Sequence, residues 1–84
     1  MNNYLLINCY SSKETMPYIV SAEKFSSYDA AMKAASDYFE DAMVNEYTEN
    51  YTDNQIETEV ANNSIYIKGP DFLDWWTVIE LPNN

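Results

Sequence analysis

The sequence predicts a two-layer α+β domain, a mainly antiparallel sheet covered by one amphipathic helix, in the order ββαβββ. Three observations carry that expectation. One segment, Tyr28 to Met43, repeats apolar residues at three- and four-residue intervals, whereas the flanking segments alternate with a period of two or are rich in β-branched and aromatic residues. Turn-forming residues separate the extended segments. With 84 residues the chain amounts to one domain, 1–84, and 46% apolar residues, 13 aromatics among them, suffice for a core in spite of a net charge of −10.

The first strand is expected over Tyr4 to Tyr10. Leu5, Ile7 and Cys9 alternate there with Tyr4, Leu6, Asn8 and Tyr10, so both faces have apolar members. Pro17 to Ala22 forms the second strand, joined to the first as a hairpin by the polar Ser11–Thr15 turn. The helix follows from about Ser27 to about Tyr47. Ser26 and Asp29 have capping-box spacing, and Phe25 is placed to staple the helix entry. Tyr28, Ala31, Met32, Ala35, Phe39, Ala42 and Met43 form its apolar stripe, and Asp29, Lys33, Asp37, Glu40, Asp41 and Val44 gather on the opposite side. Asn45 to Asn54 reads as an extended polar loop, a place where binding residues often sit. Gln55 to Ala61 is the third strand, with Ile56, Thr58 and Val60 inward. Asn62-Asn63 supplies residues tolerant of positive φ for a tight turn, and Ser64 to Lys68 returns with Ile65 and Ile67 inward. Gly69-Pro70 breaks the chain, Asp71 to Asp74 is expected as a short turn, and Trp75 to Leu81 is the last strand. The adjacent Trp75 and Trp76 must face opposite sides of the sheet.

Charge is placed rather than spread. Between Ala34 and Ile67 stand Asp37, Glu40, Asp41, Glu46, Glu49, Asp53, Glu57 and Glu59, with no basic residue among them. The segments on either side carry all four lysines against six acids. Such an anionic concentration repels nucleic acid and anionic membrane and favours a basic protein partner. The absence of His and Arg removes the commonest neutral-pH base and the bidentate phosphate clamp, and a single Gly excludes a phosphate-cradling loop. Cys9 is alone in the chain and has no His to activate it, so a structural thiol is expected. The carboxylate pairs Asp37/Asp41 and Glu57/Glu59 fall on solvent faces, where acid–base tuning is hard to arrange. Glu46, Glu49 and Asp53 lack calcium-loop spacing and its Gly. No catalytic residue, metal or cofactor is therefore expected. The start of the chain shows neither a basic leader nor an apolar run of signal-peptide length, which gives a cytoplasmic expectation. Asn50-Tyr51-Thr52 and Asn62-Asn63-Ser64 match the glycosylation sequon by chance on that reading.

In size, in lacking Arg and His, and in an acidic helix leading to the Glu57/Glu59 strand, the chain resembles the small acidic inhibitors carried by phages and mobile elements. These include anti-CRISPR proteins, restriction inhibitors and uracil-DNA glycosylase inhibitors. The resemblance implies that carboxylates stand in for phosphates in the DNA-binding cleft of an enzyme, a CRISPR nuclease being the foremost candidate. Eight carboxylates match the charge of only about 14 Å of duplex, so mimicry would be local. The contact residues expected are Asp37, Glu40, Asp41, Glu46, Glu49, Asp53, Glu57 and Glu59, with Tyr47 and Tyr51 as anchors and Val44 as an apolar contact. The alternative is a protein-binding or dimerising module whose acidity serves solubility. Its contact would centre on Trp75 or Trp76.

Overall fold

The computed structural model describes residues 3–82, which form a five-stranded antiparallel sheet with one helix across a single face. The elements are β1 (Asn3–Ser12), β2 (Tyr18–Phe25), α1 (Tyr28–Ala42), β3 (Glu57–Val60), β4 (Ser64–Lys68) and β5 (Phe72–Leu81). Strand order across the sheet is β2-β1-β5-β4-β3. The order ββαβββ and both hairpins follow the sequence expectation. The first and last strands of the chain become neighbours at the centre of the sheet, where β1 and β5 pair over ten residues.

Each half of the sheet is built by a hairpin. In the first, one extra residue, Val20, enters β2 between the Asn8–Ser21 and Cys9–Ile19 pairs. This bulge turns the strand locally. In the second, the Asn62-Asn63 turn closes through Ala61 N–H donating to Ser64 O at 2.8 Å, without positive φ at any described residue. The Asn63 carbonyl instead accepts from Val78 N–H at 2.8 Å, so β5 rather than left-handed backbone holds the turn. Thr58 and Val60 alternate toward the helix side as expected but stay exposed, because β3 is the edge strand and the helix does not reach over it. The expected turn at Asp71 to Asp74 is strand from Phe72 onward, since Phe72 and Asp74 both pair with β1 and are buried.

Helix entry is displaced by one residue from the expected cap. Ser27, in extended conformation, accepts the Ala30 N–H at 3.1 Å, while Ser26 is used to leave β2 after Phe25. At its other end the helix runs three residues past Tyr47. A π turn (Met43–Tyr47) and a final α turn (Thr48–Asn50) carry it on, so the expected Asn45–Asn54 loop shrinks to the residues between Asn50 and β3. The polar run stays helical because its side chains bond back along the helix: Asn45 Nδ2 donates to Asp41 Oδ1 at 2.7 Å, and Asn50 Nδ2 donates to the Glu46 carbonyl at 2.6 Å. A π turn takes up an extra residue and so re-aims the side chains beyond it. Here it delivers Tyr47 to the sheet.

Under the helix lie Leu6 of β1, Ile65 and Ile67 of β4, and Phe72, Trp76 and Val78 of β5, with Ala31 and Ala35 allowing close approach of the backbone. Trp76 is the buried member of the tryptophan pair, 4% exposed and edge-on to Phe39. At the far end Phe72 stacks on Tyr47, ring centroids 4.7 Å apart, and more distantly on Tyr10, at 6.2 Å. Gly69 sits beside that stack. A Cβ at position 69 would come within 2.0 Å of the Phe72 ring, which is too hemmed in to yield. Gly69→Ala should therefore lower stability by about 1–3 kcal/mol in urea unfolding. Unchanged stability would show that the ring is free to move.

Candidate functional site

Two features stand out on the helix side, the outer face of the helix and a groove along its flank.

On the outer face Lys33, Asp37, Glu40, Asp41 and Val44 are all exposed, as helical spacing predicts. Lys33 pairs with Asp37 at 3.0 Å, the one ion pair among the described residues. Both partners lie in water, so the pair contributes little to stability. Asp41 accepts from Asn45, while Val44 stands 65% exposed between the carboxylates. The result is an anionic strip around an apolar spot. Glu49, in the last turn, and Asp53, in the loop beyond, are exposed as well.

The other expected contact residues do not join this surface. Glu57 and Glu59 pair with Lys68 and Tyr66, and strand alternation sets them on the sheet face away from the helix. Continuity in sequence suggests continuity in space, but β3 turns its charged side the other way. Tyr47, expected as a surface anchor, is 4% exposed and lies in the core. Its hydroxyl donates to Asp74 Oδ2 at 2.7 Å. Tyr51 is half-buried against Phe72 and leaves only part of its ring for contact.

The groove runs between the helix and the inner side of β2. One stretch of it is lined by Asn8, Ser21, Tyr38, Asp41, Asn45 and Asp74, and the adjoining stretch by Tyr10, Tyr18, Val20, Glu46 and Tyr47. The helix lies closer to the centre of the sheet than to β2, and Tyr38 bridges the gap by donating to Glu23 at 2.7 Å. That bond holds the Tyr38 hydroxyl above its ordinary pKa, because the neighbouring carboxylate disfavours a phenolate. At the floor lies Asp74, 7% exposed. Both of its oxygens are engaged, Oδ2 by Tyr47 and Oδ1 by Asn8 Nδ2 at 2.8 Å. Burial pushes the Asp74 carboxyl above the usual range, and the two donated bonds offset part of that push. Burial likewise raises Tyr47 and, on the other side of β1, Cys9.

The chemical capacity of this arrangement is set by its hydrogen bonding. Both Asp74 oxygens are committed to donors that belong to the fold, so the residue is best read as the clamp between helix and sheet. Around it, Glu23, Asp41 and Glu46 give the groove an anionic rim, and Tyr18 and Val20 give it an apolar one. No group of three or more potential metal-ligating side chains occurs among the described residues. Sequence reasoning passed over Tyr18, Val20, Glu23 and Asp74. The signal for the first two was Tyr18-Ile19-Val20, an apolar run that breaks strict alternation; for Asp74 no local signal exists, because only the pairing with β1 buries it.

Because Asp74 binds its proton more tightly in the folded state than at the ordinary value near 3.9, its charged form subtracts stability above the folded pKa. That deficit disappears as pH falls through the folded pKa toward the unfolded value. Asp74→Asn has no charge and can keep both contacts, its Oδ1 accepting from Asn8 Nδ2 and its Nδ2 donating to the Tyr47 hydroxyl oxygen, so its stability should vary less steeply as pH rises above about 4 than that of the wild type. Urea midpoints across that range measure it; parallel curves would mean that Asp74 does not titrate there. No protein-family model matches the chain, and no curated protein or solved structure matches it either.

Proposed function

We propose that this protein is a non-enzymatic, acidic binding protein that inhibits a nucleic-acid-processing enzyme by occupying its positively charged binding surface. The specific class proposed is a CRISPR nuclease of the host cytoplasm. Such enzymes hold nucleic acid in a basic channel, which an anionic protein surface can fill. The observation that carries the reading is the helix face itself: exposed Asp37, Glu40 and Asp41 around an exposed Val44, with Lys33 as the sole cation on that face. Charge at this spacing steers a basic partner, and an apolar centre gives it a point of close contact.

The contact residues of this proposal are Asp37, Glu40, Asp41, Val44 and Glu46, continued by Glu49, Asp53 and the exposed part of Tyr51 toward the end of the helix. Tyr18 and Val20 of β2 extend the apolar component. Without Glu57 and Glu59, the six carboxylates on this side match the charge of about 10 Å of duplex, roughly three base pairs. The footprint is that of a short motif rather than a full channel. No helix among the described residues is long and apolar enough to cross a membrane.

Affinity capture from a bacterial lysate supplemented with DNA-processing and CRISPR nucleases tests the reading. The wild type should retain a basic nucleic-acid enzyme, and Asp37→Asn/Glu40→Gln/Asp41→Asn should lose it. Affinity for that enzyme should fall at least tenfold between about 50 and 300 mM salt and be competed by DNA. Equal retention by wild type and triple variant would remove the helix face from the mechanism.

A further inference from the structure

The helix covers one side of the sheet only. On the other side, strand pairing aligns the side chains that alternate away from the helix: Leu5 and Ile7 of β1, Ile19 of β2, and Leu73, Trp75 and Ile79 of β5. No element among the described residues packs against them. Ile19 is 62% exposed and Ile79 44%, while Leu5, Ile7, Leu73 and Trp75 are of intermediate burial. Trp75 lies at the middle of this surface, on the central strand of the five, with Cys9 and Tyr66 beside it in register.

From this face we infer that the protein forms a homodimer, a second copy packing its own open sheet face against it about a two-fold axis. Charge selects the occupant. The open face carries Lys24 and Lys68 against Glu57 and Glu59, so it is balanced, whereas the helix side holds most of the chain's net charge of −10. Two copies can meet here with their anionic helix faces turned outward and apart.

Area agrees. Five strands about 4.8 Å apart, and side-chain rows about 6.8 Å apart along them, make a face of about 500–650 Å² per copy. Two copies then bury on the order of 1,000–1,300 Å², at the lower bound of stable interfaces. Aligned sheet-on-sheet packing, about 10 Å between layers, is the geometry that such a face fits. The composition is that of a homodimer contact, an apolar centre around one aromatic residue with charge at the rim.

Sedimentation velocity over a range from about 1 to 500 µM tests it. The wild type should pass from monomer to dimer within that range, and alkylation of Cys9 should slow several-fold as it does so. Trp75→Glu should stay monomeric with an unchanged far-ultraviolet circular dichroism spectrum. Since that substitution could also disturb the sheet, a second variant is decisive: Ile19→Lys/Ile79→Lys, at the two exposed apolar positions of this face, should keep the wild-type spectrum and urea midpoint and stay monomeric. A wild type that is monomeric throughout, or an Ile19→Lys/Ile79→Lys variant that dimerises as the wild type does, would overturn the inference.

Discussion

The bond from Tyr47 to Asp74 is the interaction on which the rest of the molecule depends. A five-stranded sheet has more surface than one helix can cover, and this helix must cross it from the Tyr4 end to the Phe72 end to close the core. The last quarter of the helix is NEYTEN, a polar sequence with little reason of its own to be helical. It is held down by one side chain: Tyr47 stacks on Phe72 and places its hydroxyl on a carboxylate that burial has deprived of water. A buried carboxylate left without donors is strongly destabilising, so the clamp is two-sided. Asp74 needs Tyr47 and Asn8, and the helix end needs Asp74. The π turn is the adjustment that lets Tyr47 reach it, and the β2 bulge lies directly after Asn8, the second donor.

That clamp also decides how charge is presented. With the helix fixed as far as Asn50, Asp37, Glu40, Asp41 and Glu46 belong to a rigid element rather than to a loop that would have to order on binding. Less conformational entropy is then lost at association. The sheet separates this anionic side from Glu57 and Glu59, whose neighbours are Lys68 and Tyr66. A chain of net charge −10 is thereby given one strongly anionic face and one balanced apolar face. The first suits a basic partner, the second a copy of itself, and neither surface competes with the other.

Much of this was legible in the sequence because the periodic signals were strong. Ile65 and Ile67 alternate as buried strand residues do; Ala31 and Ala35 mark the helix seam; adjacency alone forces Trp75 and Trp76 to opposite faces. The failures are equally physical. Asn, Glu and Thr between Asn45 and Asn50 have loop composition, and their helical state depends on side-chain bonds to the preceding turn and on a tyrosine whose partner lies 27 residues away. Ser26 and Ser27 offer two caps, and the choice rests on where β2 ends. Asp71 to Asp74 looks like a turn until β1 is known to pair with it. In each case a long-range pairing overrode local preference. The candidate site suffered most from this, since its eight acids are contiguous in sequence but divided between two sides of a sheet.

The most direct test of the clamp is amide hydrogen exchange of Val44 to Asn50 in the wild type and in Tyr47→Phe, which removes one hydroxyl and little volume. These amides should be protected in the wild type and exchange at least tenfold faster in the variant, while Ala31 to Phe39 change less. Exchange of Val44 to Asn50 at unprotected rates in the wild type would contradict the clamp, for the segment would then be a loop and the rigid anionic face would not exist.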